Sequence, residues 1–392
     1  MRLVPTVRRT RCPLCESPRL SAPAAPHAAL PYPLLPVCVG ADAPRADDAA
    51  APFTIVTCEA CGLITLLDYV EPDVLYKAFH NDAQGATWAA HYAAFAALIA
   101  ANYTLGAAGR IVEVGAGQGK LLSILKPLCG GVMEVIDPQY EGEREGVTVH
   151  ATLLDPASAA ALENTFDAMV SSHTLEHFPE FNAYFLAARR VLKPGGLLFT
   201  SVPNQEVGFA KAHGSMLSFE HPSVCSNLHW MALFYRNGFL VQEVRLFRTH
   251  SLMIVARRVE EPIAFALCAR EASAALLAEY SAATAARLAR VRAHATPDKD
   301  NWLFGAHNNA QVLFMYGLEE ALFCGLLDNS PLKHDRRLYG TSLTCRAPAA
   351  VLGPAAPRAA RALRVFVNIG AYNDEVAAQL AALDAGVECV LL

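Results

Sequence analysis

The sequence predicts an α/β protein in three parts, and three observations carry that expectation. Two Cys-x-x-Cys pairs, "CPLC" at Cys12–Cys15 and "CEAC" at Cys58–Cys61, open the chain. A strand, glycine turn and helix pattern follows in "RIVEVGAGQGKLLSIL" (110–125), and a second, smaller alternation of strands and helices fills the last third. At 392 residues the chain exceeds one ordinary core, and 53% apolar against 18% charged residues can fill two or three. The boundaries expected are 1–75, 76–258 and 259–392.

Two residues between thiols let one turn present both sulfurs to one ion, and two such turns complete the tetrahedral set that zinc accepts. Cys12, Cys15, Cys58 and Cys61 are therefore candidate ligands of a structural zinc, because four thiolates leave no position for substrate. The intervening "SAPAAPHAALPYPLLP" reads as a long loop. A thioredoxin-like redox pair would need a neighbouring strand and helix pattern that these residues lack. The remaining cysteines are scattered and read as small buried apolar residues. Eleven cysteines, an odd number, in a chain whose start "MRLVPTVRRTRC" holds no apolar run of signal-peptide length lead us to expect reduced thiols and a cytoplasmic setting.

The formal net charge of -5, with Lys and Arg dispersed, argues against a nucleic-acid partner. The most apolar stretch, "AAFAALIAANYTLGAAG" (93–109), is interrupted by Asn and Tyr and barely reaches membrane length. We expect a buried helix there, not a membrane partner.

The glycine turn decides the ligand of the middle part. A dinucleotide loop wants G-x-G-x-x-G/A, but after Gly115 and Gly117 the sixth position is Lys120 and the third glycine is Gly119. The next strand, in "GVMEVIDPQY", ends at Asp137, whose carboxylate can accept from both hydroxyls of a ribose. "FDAMVSSHTLEHF" (166–178) and "LKPGGLLFTSVPN" (192–204) read as two further strands.

Taken together, Glu113, Gly115, Gly117, Gly119, Asp137 and these strands resemble the class I S-adenosylmethionine (SAM) methyltransferases. The resemblance implies that Glu113 helps to hold the ammonium of the methyl donor and that the glycines let the backbone approach its nucleoside. It also places Ser172 and His173 where the fourth strand's loop passes the sulfonium. Asp155 reads as the cap of a following helix and has no part in the site.

Beyond Asn204, "SFEHPSVCSNLHWMALFYRNGF" narrows the resemblance. A two-pair cysteine module, a SAM core, a Glu-His dyad after the fifth strand and a third domain resemble the nucleotide-sugar C-methyltransferases of deoxysugar biosynthesis. That family implies His221 as the base that removes a proton alpha to a sugar ketone, with Glu220 orienting its ring or compensating its charge. Two departures stand out. Ser218 occupies the place of a family Tyr, and in "YKAFHNDAQGATWAAHY" His80 takes the place of another. These changes leave oxygen methylation of a sugar or small metabolite open, and a non-catalytic zinc-module binding protein with a vestigial methyltransferase fold is a third reading.

In the last third, Leu277, Tyr280, Thr284, Leu288 and Val291 recur at helical intervals and predict a long packed helix. "NWLFGAHNNAQVLFMYGL", "CGLLDNSPLKHDRRLYGT" and "LRVFVNIGAYNDEVAAQL" each start as an apolar strand and reach polar residues at its end, where a parallel sheet holds ligands. A Rossmann-like half-domain is expected, and the resemblance makes it the cap over a nucleotide-linked sugar. Gly305, His307 and Asn308 are its first candidate contacts, followed by Asp328 and Tyr372. The alternative is a purely structural or dimerising domain.

Overall fold

The computed structural model describes residues 1–23, 27, 29–75, 86–103, 109–129, 131–354 and 361–392. Its centre is a seven-stranded sheet: β1 (Arg110–Val114), β2 (Val132–Ile136), β3 (Val147–His150), β4 (Phe166–Ser172), β5 (Leu192–Pro203), β6 (Phe239–Phe247) and β7 (Ser251–Arg258), in the order β3-β2-β1-β4-β5-β7-β6. The first five run parallel, and β7 is antiparallel to both of its neighbours. Strands covered on both faces should read as apolar runs, as β1 and β4 do. Helices α1 (Ala86–Asn102) and α2 (Lys120–Cys129) cover one face through Phe95, Leu98, Ile99, Leu121 and Leu125. After α3 (Phe181–Val191) and α4 (Gln205–Ala210), α5 (Asn227–Arg236) joins α3 on the other face with Phe181, Tyr184, Trp230 and Phe234. The strand order reverses at β1, so the ligand crevice lies outside the carboxyl ends of β1 and β4.

The N-terminal residues are woven into both other parts. The hairpin Ile55–Thr57 and Ile64–Leu66 takes Ser223–Val224, from the core, as its third strand. Cys38–Gly40 pairs antiparallel with Arg336–Leu338 of the last third. Neither pairing has a local signal, since each joins short segments far apart in the chain.

The last third begins with α6 (Arg270–His294), which buries Tyr280, Thr284, Leu288 and Val291 as expected, with Ser273 extending the face and Leu277 half-buried. Strands β8 (Lys299–Phe304), β9 (Gly325–Leu327), β10 (Cys345–Arg346), β11 (Ala362–Val367) and β12 (Glu388–Leu391) form an all-parallel sheet in the order β10-β9-β8-β11-β12. Helices α7 (Asn308–Met315) and α8 (Asn373–Leu383) flank it. No helix among the described residues is long and apolar enough to cross a membrane; α1, which begins the apolar stretch, buries itself on the central sheet.

Candidate active site

Parallel register sets Glu113 beside Val135 and Val170, and Asp137 follows directly on β2, so two carboxyls meet at the switch point. Asp137 Oδ2 accepts the Gly117 N–H (2.7 Å) and Oδ1 the Gln139 N–H (2.7 Å), which clamps the glycine turn to the second strand. Each oxygen keeps a second lone pair for a ribose hydroxyl. Burial, and then the charge of Asp137, push the Glu113 carboxyl up to about 8. Its Oε2 and the Ser172 Oγ have no hydrogen-bond partner among the described residues. A buried carboxyl oxygen left open is costly unless a cationic or donor group meets it, which fits the ammonium of an amino-acid ligand.

Gly115, Gly117 and Gly119 all have positive φ (+70°, +53° and +69°), which accounts for three glycines in five residues. At two of them the close neighbour is the protein itself: a Cβ on Gly115 would lie 2.6 Å from Thr174 Oγ1, and one on Gly119 would lie 2.8 Å from the Tyr140 hydroxyl. Room for a nucleoside is therefore not the whole reason for these glycines. The turn is also packed under the loops that follow β2 and β4.

At the end of β4, His173 sits in the left-handed region (φ +51°), and the turn that follows brings Glu176 and His177 to His221. His221 Nε2 lies 3.4 Å from His177 Nε2, and its Nδ1 lies 2.5 Å from the Ser215 carbonyl. A carbonyl only accepts, so Nδ1 carries a proton, and in the neutral form of the ring Nε2 then holds the lone pair a base requires. A backbone carbonyl thus fixes the ring at Nδ1, and the charge of Glu220 also acts on the buried Tyr32 hydroxyl. Burial raises the Glu176 carboxyl to about 7 against the opposing pull of His221. Glu176 and His177 were missed by sequence reasoning, although "LEHFP" and "FEHPS" both carry a Glu-His step and could have been read together. His80 lies outside the described residues.

Residues 87–244 match the family model described as a methyltransferase domain. The central unit is a methyltransferase domain. Two curated relatives that match part of this chain are ubiquinone biosynthesis O-methyltransferases. That of Xanthomonas oryzae pv. oryzae is 33% identical over 108 residues, 25% of this chain and 45% of that one. That of Cereibacter sphaeroides is 27% identical over 103 residues, 24% of this chain and 42% of that one. The chain spans less than half the length of the curated relatives it matches. Among solved structures, 1,6-didemethyltoxoflavin-N1-methyltransferase from Burkholderia thailandensis, with 1,6-didemethyltoxoflavin and S-adenosylhomocysteine bound, superposes with a TM-score of 0.35 at 17% identity, over 44% of this chain and 79% of that one.

The four cysteines of the predicted metal module come together beside this methyltransferase domain, all as free thiols. The Sγ–Sγ distances Cys12–Cys61 (3.6 Å) and Cys15–Cys58 (3.5 Å) are far too long for disulfides. They approach the edge of about 3.8 Å that Zn–S bonds of about 2.3 Å give a tetrahedron. After each pair the next residue has positive φ, Glu16 at +61° and Gly62 at +86°, so two equivalent turns present the sulfurs. The knuckle packs into the methyltransferase core, where Cys12, Cys58 and Leu63 share a cluster with Tyr184 and Trp230. It also holds the active-site loops: Arg9 donates to Pro179 O (2.7 Å) and pairs with Glu180 just past His177, while Thr65 Oγ1 (2.9 Å) and the Leu66 N–H (2.8 Å) donate to Pro222 O just past His221.

The candidate residues of the last third also meet the methyltransferase domain, though through its own loop. Gly214 donates to Asn309 Oδ1 (2.6 Å), and a Cβ on Gly370 would lie 2.4 Å from His213 Nε2. Gly305 (φ +109°) turns the chain after β8, and His307 caps α7 by accepting the Asn309 N–H at 3.2 Å. Asn308 opens α7. Asp328 Oδ2 accepts the Ala306 N–H (3.0 Å) and pairs with Lys333 (3.0 Å), which ties the ends of β8 and β9 together. Tyr372 is exposed at the end of β11. Part of the expected sugar crevice is thus occupied by His213–Gly214.

Proposed function

We propose that this chain is a SAM-dependent methyltransferase that alkylates carbon of a nucleotide-linked keto-sugar, with a structural zinc in its four-cysteine knuckle. The observation that carries the reading is the Glu176–His177–His221 cluster in the turn after β4, at the same edge of the sheet as the open carboxyl of Glu113. Bound SAM supplies an electrophilic methyl group on a sulfonium. Glu113 would hold its ammonium, Asp137 its ribose, and Ser172 and His173 the rim beside the sulfur. Carbon bearing hydrogen has no lone pair to methylate, so a base must first take the alpha proton. His221 Nε2 accepts that proton, and the positive charge it gains favours ionisation of Glu176 beside it. Gly305, Asn308 and Tyr372 are the residues that would meet the nucleotide. Methyl transfer asks mainly for alignment, which domains on both sides of one crevice can impose.

The O-methyltransferase relatives favour a second reading, in which the same His221 deprotonates a hydroxyl. Deuterium exchange separates the two. Incubated in D2O without SAM, a C-methyltransferase exchanges the alpha proton of its keto-sugar and loses that exchange with His221→Ala. Methyl transfer from labelled SAM to a sugar hydroxyl, with no alpha exchange, would establish the oxygen reading instead.

A further inference from the structure

Beside this cluster, three histidines from three elements converge: His91 on α1, His173 after β4, and His250 in the turn between β6 and β7. One ring nitrogen of each lies within 4.8 Å of the others. The ring centroids are 5.2, 5.4 and 5.5 Å apart, and Trp88 closes edge-on over His173 and His250 at 4.7 and 4.8 Å. Packing alone does not call for this arrangement, since phenyl rings would fill the space without desolvating six ring nitrogens. Each imidazole is instead fixed by one nitrogen to a hydroxyl: His91 Nε2 to Ser201 Oγ (2.8 Å), His173 Nε2 to Ser251 Oγ (2.9 Å) and His250 Nδ1 to Ser251 Oγ (2.5 Å). Glu176 Oε1 lies 3.3 Å from His173 Nδ1. His91 is fully buried, and its Nδ1 has no hydrogen-bond partner among the described residues.

We propose that His91, His173 and His250 bind a divalent transition-metal ion of the zinc class, at a site separate from the cysteine knuckle. Three neutral imidazoles suit Zn²⁺, Co²⁺ and Ni²⁺, and hydrogen bonds on the other ring nitrogens are how proteins orient such ligands. Three protein ligands also leave a fourth position for an oxygen, the arrangement of an ion that meets water or substrate and not of a closed structural site. His173 is shared with the proposed sulfonium rim, so the ion would stand beside the methyl donor and could bind an acceptor oxygen. The binding itself does not depend on the methyl-transfer reading.

Cobalt reports the difference between the two sites in the full-length, zinc-loaded protein. The wild type should take up one further equivalent of Co²⁺ per chain, with the weak visible bands of nitrogen and oxygen ligation and no thiolate charge-transfer band. The His91→Ala/His250→Ala pair should lose this uptake. Ser251→Ala, which keeps all three ligands but frees two of them, should weaken it about 10- to 100-fold. A wild type that binds no further cobalt, or binds it only with thiolate bands, would overturn the site whether or not the histidine variant folds. So would unchanged uptake in a folded histidine variant. Methyl transfer is measured separately and can fail without affecting these outcomes.

Discussion

Glu113 is buried, with one carboxyl oxygen left open among the described residues. Its carboxyl, raised to about 8 by burial and by Asp137, stays largely protonated at neutral pH. Between the ordinary value near 4.5 and about 8 the folded chain therefore binds more protons than the unfolded one, and this group's contribution makes stability fall as pH rises, by at most about 1.4 kcal/mol per unit. Glu113→Gln should flatten that fall in urea denaturation across this range. An ammonium arriving beside the group favours its ionised form, so binding of S-adenosylhomocysteine at pH 7 should release up to about one proton, read by calorimetry in buffers of different ionisation enthalpy, and Glu113→Gln should abolish the release. At His221 the expectation is kinetic: His221→Ala should lower kcat by about 10²- to 10⁴-fold with little change in S-adenosylhomocysteine affinity. The placement of Glu113 and Asp137 at the ends of adjacent strands was legible in the sequence because a strand, a glycine turn and the end of the next strand are local patterns. Glu176 and His177 were not, because their meaning comes from His221, which is distant in the chain and reaches them only through tertiary structure.

At the level of elements, the knuckle acts through the two loops it holds. Ser223–Val224 is a strand only because Ile64–Leu66 offers it an edge, and His221 stands just before it. Cys58→Ser should release this edge and Arg9's hold on Pro179 and Glu180, lowering kcat while the central sheet stays folded, as far-UV circular dichroism with activity assays would show. The cysteine pairs were visible from spacing alone, whereas the borrowed third strand was not, since two residues carry no periodicity. Helix α6 shows the opposite case. Its apolar interval predicted the buried face from Tyr280 to Val291, and Tyr280 stacks on Phe209 at 4.3 Å with planes 3° apart. Removing that fully buried ring in Tyr280→Ala should cost about 3–5 kcal/mol in urea unfolding.

Across the whole molecule, the N-terminal residues act less as an appended module than as a brace between two α/β units. Arg337 of the last third forms a two-pronged, buried pair with Asp48 (2.6 and 3.0 Å), and the Gly340 N–H also donates to Asp48 (2.7 Å). Asp48→Ala would leave a buried guanidinium without its partner and should destabilise the chain by about 3–5 kcal/mol in the same unfolding assay. Two α/β sheets, parallel for the most part, were foreseeable from strand and helix alternation. The docking of His213–Gly214 against Gly370 and Asn309 was not, because shape complementarity between domains leaves no periodic trace in the chain. The proposed function places the methyl donor in the crevice outside β1 and β4, and calorimetric titration with S-adenosylhomocysteine tests it most directly. Micromolar binding by the wild type, weakened at least about 10-fold by Asp137→Ala as expected for the loss of a charged hydrogen-bonding group, is the predicted result. No binding by the folded wild type, or equal binding by both proteins, would contradict it.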